Sequence, residues 1–527
     1  MILRRLHIPK RLRPHGSRRP LLALATVCAL VAAGLFGAAL PAQAAAQGPC
    51  DIFSSGGTPC VAAYSMVRAM YGSYDGPLYQ IERASDDTTA TIGLLTTGGY
   101  VDSAPQVSFC ANTTCTITEL FDQSSEGNNL PVSIGGYWPG PGTNGADVPA
   151  NAMALPVTVD GHAAYGLKVT PGVGYRIDDA AGVATGSEPE GIYEVTSGTI
   201  SNGSCCFDFG SGETSNTDTG SGDMNAIYWG TSCWFGGCTG NGPWVEADLE
   251  NGLYSSATGP NGSSNTGVQD RFVSAWEKNN GTSTFTLKYG NAQSGGLTTT
   301  YSGALPSGYA PMHEQNSILL GVGGDNSVSG DGSFFEGAMT AGYPTDATEN
   351  AVQADITTAN YTAISTPFTP GARISIQATT ACCTSDYIQH DASDTKVVIA
   401  PVTSASSTQD KGDATWIVTT GLANPLCISL ESANESGEYL RHYGFELWLE
   451  PSDGTYQFAQ DATFCPVPGN SGTGYSLQSI NYPDHFIRHY DYTVYVAADG
   501  GSNNTNAWDN PILWPQDTTW LAASPWS

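Results

Sequence analysis

Three segments in the last third of the chain repeat one local pattern, and that repeat constrains the fold more than any other feature. Tyr387-Ile-Gln-His390, Tyr439-Leu-Arg-His-Tyr443 and Phe486-Ile-Arg-His-Tyr490 place a histidine in the same setting at intervals of 52 and 47 residues. A second marker follows each one: Asp413-Ala-Thr-Trp416, Asp461-Ala-Thr-Phe464 and Asp509-Asn-Pro-Ile512, with the aspartate 23, 19 and 20 residues after its histidine. Three copies of a β unit call for a threefold closed architecture, because a propeller needs about four blades or more. The spacing predicts a β-trefoil with one pair per lobe: His390 with Asp413, His442 with Asp461, and His489 with Asp509. Two roles fit these pairs. They hold each lobe together as turn and core residues, or they line three shallow pockets where they bond sugar hydroxyls and aromatics stack on the ring.

Upstream, from residue 48 to about 365, short β-patterned runs such as Ser283–Tyr289 and Ser317–Val322 alternate with Gly/Asn/Ser/Asp clusters. Helical pattern is confined to pieces such as Val61–Tyr71 and Ala347–Tyr361, the second preceded by a cap at Thr345. Only 13% of residues are charged and 63 are glycine, where a globular chain has roughly 25% charged. Short strands and glycine-rich turns predict an all-β fold, a sandwich or barrel, rather than a helical bundle. Thr366-Pro-Phe-Thr-Pro-Gly371 punctuates the chain. The expected division is therefore a first domain over 47–365 and a second over 366–527.

Residues 1–20 hold seven of the 19 Lys and Arg and no acid, and an apolar stretch runs from Leu21 to Leu40. Small-residue cleavage sites follow at Ala42-Gln-Ala44 or Ala44-Ala-Ala46. This is the layout of a secretory signal over 1–46, so a secreted, extracellular monomer is expected. The alternative, a membrane anchor, has no basic stop-transfer segment behind it. Without the seven basic residues, 12 cations face 49 acids. Such a surface repels nucleic acid and anionic lipid, so the expected partner is neither.

Export also accounts for the cysteines. Cys28 leaves with the signal, and 12 of 13 remain, with Cys50 near Cys60, Cys110 near Cys115, Cys233 near Cys238, and Cys427 further from Cys465. No Cys-x-x-Cys pair occurs and only His162 and His313 lie between 47 and 389, so structural disulfides are expected and no metal or other cofactor. Cys205-Cys206 and Cys382-Cys383 are adjacent. A bond between neighbours would make a rigid apolar ring suited to a flat ligand contact; otherwise each cysteine pairs elsewhere.

Gly242-Pro-Trp-Val-Glu-Ala-Asp-Leu-Glu-Asn251 alternates. As a strand it turns Val245, Ala247 and Leu249 to one face and Trp244, Glu246, Asp248 and Glu250 to the other. A row of carboxylates beside an indole is either a solvated face or the acid chemistry of glycoside hydrolysis, which needs carboxyl groups of separated pKa. Gly321-Val-Gly-Gly-Asp325-Asn326 follows the apolar run Ile318–Leu320. Its glycines admit close backbone approach, and Asp325 is a second candidate acid, expected to be buried against that run.

With these residues in view, the chain from 48 to 527 resembles the family 54 glycoside hydrolases, α-L-arabinofuranosidases that carry a family 42 arabinose-binding module. The resemblance rests on Gly48-Pro-Cys-Asp-Ile52, Tyr79-Gln-Ile-Glu-Arg-Ala-Ser-Asp-Asp87, Phe109-Cys-Ala-Asn-Thr-Thr-Cys115, Glu188-Pro-Glu-Gly191, Cys205-Cys-Phe-Asp208, Asp248-Leu-Glu-Asn251, the Gly321–Asn326 loop and the three repeats. It implies a β-sandwich catalytic domain before the β-trefoil. It also implies a retaining, exo-acting mechanism on arabinoxylan or arabinan, with Glu250 as nucleophile and Asp325 as general acid/base. By the same resemblance Asp248, Asn251 and Gly324 hold the sugar hydroxyls, Trp234 walls the pocket and bonded Cys205-Cys206 lies beneath the sugar. The chain departs from the family pattern at Cys233 and Cys238, at Cys382-Cys383 in the first lobe, and at Gln389, where the other repeats carry Arg. The rival function is a secreted lectin in which both domains only bind sugar.

Overall fold

The structure, a computed structural model, describes residues 47–110, 113–258, 264–362, 367–391, 393–424, 426–500 and 506–527. The signal segment expected over 1–46 and Thr366 at the expected boundary lie outside the described residues. Among the described residues, no helix is long and apolar enough to cross a membrane.

The N-terminal domain is sandwich-like. One antiparallel sheet of six strands runs in the order Cys60–Ser65, Glu336–Ala341, Glu190–Thr196, Val273–Asn279, Thr284–Asn291, Thr298–Ala304. The other runs Leu253–Tyr254, Trp244–Asp248, Asn225–Gly230, Asp208–Ser211, Ile318–Leu320, Tyr175–Ile177. Their inner faces meet where Tyr64 packs edge-on against Phe209, ring centroids 6.3 Å apart, and where the Trp229 indole donates to Ser197 O at 3.0 Å. Burial of such large rings supplies the main cohesion between layers. A helix over Asp346–Thr358 is capped by Thr345, whose hydroxyl accepts from Thr348 N. It docks through Glu349, which Lys278 and Lys288 reach at 2.8 and 2.5 Å.

The expected helix over Val61–Tyr71 is instead a strand, Cys60–Ser65, all six residues of which are buried. A continuous apolar run carries no periodicity to separate a buried strand from a buried helix. The Cys50–Cys60 disulfide ties this strand to the short helix Pro49–Ser55.

The C-terminal domain is a β-barrel with its own core, running from Phe368 to Trp520. Arg373–Ala378, Trp416–Thr420, Ile428–Ser432, Phe464–Pro468, Tyr475–Ser479 and Trp520–Ala523 pair in that cyclic order and close on themselves. Three hairpins stand against the barrel: Asp386–His390 with Val397–Pro401, Glu438–Tyr443 with Glu446–Pro451, and Phe486–Tyr490 with Thr493–Ala497. Trp416, Phe464 and Trp520 occupy matching places in the core, each fully buried. The two indoles donate to Ile388 O and Ile487 O at 3.0 and 2.9 Å. Thus Trp416 and Trp520 anchor the first and third hairpins to the barrel core.

Candidate active site

The strand that carries the acidic segment stops at Asp248. The alternation read from the sequence therefore runs two residues too far, and Glu250 is not on the strand face with Glu246 and Asp248. Glu250 and Asn251 follow in a turn with φ of 61° and 58°, a left-handed conformation costly for side chains other than glycine. Strain of this kind persists where the surroundings over-determine it, as they do here. Glu250 N donates to Asp248 Oδ1 at 3.1 Å, and the Tyr309 hydroxyl donates to Glu250 O at 2.8 Å.

The solvated-face reading of this segment fails, because Glu246 is 0% exposed and Asp248 and Glu250 are 7% exposed. Burial and then Asp248 push Glu246 up to about 8. Burial pushes Asp248 up to about 7, and beneath it the fully buried Asp208 is raised well above the carboxylate range by burial and by Asp248 itself.

The Gly321–Asn326 loop faces this turn. Arg176, buried on the neighbouring strand, donates to Gly324 O at 2.6 Å and also to Glu213 O. A side chain at Gly324 has no room, since a Cβ there would meet Glu213 Oε2 and stand 2.5 Å from Glu250 Oε2. That close approach is the physical reason for the glycine. Asp325 is half-buried rather than buried against the apolar run; it accepts from Ser327 N at 2.9 Å and from the Ser327 hydroxyl.

Cys205 and Cys206 are bonded to each other and flank the same loop: Cys206 N donates to Ser327 O at 3.1 Å and Ser329 N to Cys205 O at 3.0 Å. Cys206 Sγ lies 3.7 Å from Asp248 Oδ2. Glu250, Asp248, Gly324, Asp325 and the disulfide therefore belong to one site. Asn251 joins its edge, donating to Asp218 Oδ1 at 3.1 Å. Trp234 is 54% exposed in the loop closed by Cys233–Cys238, next to Phe235, which stacks on Tyr254 at 4.8 Å.

Glu213 is the site residue that the sequence reading missed. It is fully buried, neither carboxylate oxygen has a hydrogen-bond donor, and burial raises it. Oxygens of Glu213, Asp218 and Glu250 lie within 4.8 Å of one another. Burial and then the facing Glu213 carboxyl raise Glu250 to about 11. Two buried carboxyls this close cannot both ionise, so the pair holds one shared proton. The same three oxygens are the donor set that a cation would find here.

In the C-terminal domain each histidine lies at or next to the end of a hairpin strand, beside an aspartate that ends a short helix. His390 Nε2 is 3.1 Å from Asp413, and His442 Nε2 is 3.5 Å from Asp461. The third pair differs from the sequence expectation: His489 stands 3.6 Å from Asp517, while Asp509 accepts from Ala498 N and Asn506 in a separate turn. Asp517-Thr-Thr-Trp520 is the true counterpart of Asp413-Ala-Thr-Trp416. Arg441 and Arg488 reach Asp461 and Asp517 at 3.3 and 3.0 Å, a bond that Gln389 does not make to Asp413. Burial holds His442 and His489 below the usual histidine range. The second pair lines a pocket of about 260 Å³ with Tyr443, Phe445 and Tyr482. The remaining disulfides are Cys110–Cys115, Cys382–Cys383 and Cys427–Cys465.

Comparison with known proteins agrees with both halves. The family described as the catalytic domain of alpha-L-arabinofuranosidase B matches residues 49–362, and the alpha-L-arabinofuranosidase B (ABFB) domain matches 376–522. The probable alpha-L-arabinofuranosidase B of Aspergillus clavatus is 47% identical over 494 residues, 93% of this chain and 96% of that one. The alpha-L-arabinofuranosidase B of Emericella nidulans is 48% identical over 491 residues, 91% of this chain and 95% of its own. A solved arabinofuranosidase complexed with arabinofuranosyl-alpha-1,2-xylobiose shares 47% identity with a TM-score of 0.65, covering 91% of this chain and 100% of that chain. A solved family 54 alpha-L-arabinofuranosidase soaked with a cyclic sulfate inhibitor shares 46% identity with a TM-score of 0.64 over the same shares.

Proposed function

Because this chain belongs to the α-L-arabinofuranosidase B family of glycoside hydrolases, we propose that it is a secreted, exo-acting, retaining enzyme that removes arabinofuranosyl side chains from arabinoxylan or arabinan. The lectin reading falls with the match of the catalytic domain. The observation that carries the mechanism is the approach of the Gly324-Asp325 loop to the Glu250 turn, where Glu250 Oε2 stands 2.5 Å from the place a Gly324 Cβ would take.

Glu250 attacks the anomeric carbon as the Asp325 proton passes to the leaving oxygen, so the C–O bond breaks and a glycosyl ester forms on Glu250. Water then attacks that carbon, Asp325 takes its proton and the ester bond to Glu250 breaks, restoring the carboxylate. For attack the shared proton, which the pairing favours on Glu250, must pass to the facing Glu213 and leave Glu250 ionised. Asp248, Asn251 and the Gly324 backbone hold the sugar hydroxyls. Cys205–Cys206 underlies the ring and Trp234 walls the entrance.

We read the threefold barrel, 366–527, as a β-trefoil whose histidine and aspartate pairs bind terminal arabinofuranose and hold the enzyme on polymer. The signal over 1–46 exports the chain, which acts as a monomer. Proton NMR of the first product released from 4-nitrophenyl α-L-arabinofuranoside tests the central step. α-L-Arabinofuranose appearing before its β anomer supports retention, and the β anomer appearing first excludes it.

A further inference from the structure

Cys382 and Cys383 are bonded to each other, and their place in the fold differs from their place in the sequence. They follow the first strand of the barrel, yet they line the pocket of the last repeat, about 180 Å³, together with His489, Asp517, Thr380, Tyr490 and Tyr492. The ring closes this way because each pocket takes its histidine and aspartate from one repeat and a wall from the next.

The second and third pockets can therefore be compared residue by residue. Asn481 accepts from His442 Nε2 at 3.0 Å and donates to Asp461 at 2.7 Å. Thr380 does the same in the third pocket, accepting from His489 Nε2 at 2.9 Å and donating to Asp517 at 2.8 Å. The polar floor is thus conserved in role with a different side chain. Directly after Asn481 comes Tyr482, whose ring packs on Phe445 at 4.9 Å and forms the apolar wall of the second pocket. After Thr380 comes Ala381 and then the cysteine pair, with no aromatic residue. In the first pocket Asn434 bridges His390 and Asp413, and the next residue is the exposed Glu435, which offers no apolar wall.

We propose that the Cys382–Cys383 disulfide is the sugar-contact wall of the third pocket, standing in for the ring of Tyr482. Two polarisable sulfurs in a closed ring present a rigid surface to the C–H face of a furanose, and dispersion at such a contact needs no side-chain ordering on binding. Cys383 is buried while Cys382 is exposed at the pocket mouth, so the ring has one edge anchored and one edge free for a ligand. The proposal rests on the reading of these pockets as arabinofuranose sites.

The test uses the full chain carrying Glu250→Gln, so that polymer is not degraded, and His442→Ala, so that the second pocket is silent. Affinity electrophoresis through soluble arabinoxylan then compares three additions. His489→Ala should weaken retardation at least tenfold, Cys382→Ala with Cys383→Ala should match that loss, and adding Ala381→Tyr to the cysteine pair should recover it to within threefold. Loss with His489→Ala but none with the cysteine pair overturns the disulfide wall alone. No loss with His489→Ala overturns the sugar-site reading beneath it. Crystals of the unmutated chain soaked with L-arabinose decide the matter if the variants misfold. Sugar carbons within about 4 Å of the Cys382 or Cys383 Sγ support the proposal. A sugar on His489 and Asp517 turned away from both sulfurs, or an empty pocket, refutes it.

Discussion

Glu213 meets Glu250 carboxyl to carboxyl beneath Gly324, and among the described residues no ion pair joins either of them to a cation; Arg176 donates to Gly324 O and Glu213 O and pairs with Asp178. In the proposed mechanism Glu213 is a positioning residue that takes up the proton Glu250 must lose before attack. Glu213→Ala should lower kcat/KM on 4-nitrophenyl α-L-arabinofuranoside at least about tenfold, while Glu213→Gln, whose amide N–H can donate to Glu250, should stay within about threefold of the parent. Equal losses would mean that Glu213 only fills space.

Asp325 is half-buried and tethered to Ser327, and in the proposed mechanism it exchanges protons with the leaving group and with water. Good leaving groups need little protonation. Asp325→Asn should lose about 100-fold or more on arabinoxylan and far less on an aryl arabinoside, where breakdown of the glycosyl ester becomes limiting. A uniform loss across leaving groups would argue against the acid/base role.

Buried carboxyls set the pH dependence of stability. Burial raises Glu190 and Glu246 to about 8, while in the unfolded chain a glutamate titrates near 4.3. A raised folded pKa gives stability that is complete below the unfolded value and lost as pH climbs through the folded one. The window here runs from about 4.5 to 8, and the loss is on the order of a few kcal/mol per group. Calorimetry should find Tm several degrees higher near pH 4.5, at the foot of this window, than at pH 8. A Tm that rises over this interval would contradict the assignment.

If the three histidine–aspartate pairs bind sugar as proposed, they should contribute unequally to polymer binding. The second has its aromatic wall, an Arg441–Asp461 bond and the Cys427–Cys465 disulfide behind it. His442→Ala with Asp461→Ala should remove most retention on insoluble arabinoxylan, and His390→Ala with Asp413→Ala the least. Asp517→Ala should cost as much as His489→Ala, whereas Asp509→Ala should leave retention unchanged. A loss on Asp509→Ala equal to that on Asp517→Ala would restore the pairing expected from spacing.

That last contrast shows where sequence reading runs out. Repeat periodicity placed all three histidines and two aspartates, because hairpins and barrel strands recur at nearly constant length. In the third lobe the connection lengthens to 28 residues between His489 and Asp517, and Asp509 stood closer to the expected interval. The marker Asp517-Thr-Thr-Trp520 was present and outweighs spacing, since its tryptophan must reach the core. Glu213 carried no such signal. It sits alone between Gly212 and Thr214 and becomes part of the site only through the fold that brings the Gly324 loop across it. Glu250 was legible by type but not by conformation, because alternation says nothing about where a strand ends in a left-handed turn.

Whether Glu250 forms the bond to the sugar is tested most directly by removing its carboxylate and supplying a substitute. Glu250→Ala should fold normally and have almost no turnover on 4-nitrophenyl α-L-arabinofuranoside. Adding azide should restore turnover, with NMR identifying β-L-arabinofuranosyl azide, because the small anion enters from the face the carboxylate has vacated. Near-normal activity without azide, or an α-configured azide product, would contradict the account.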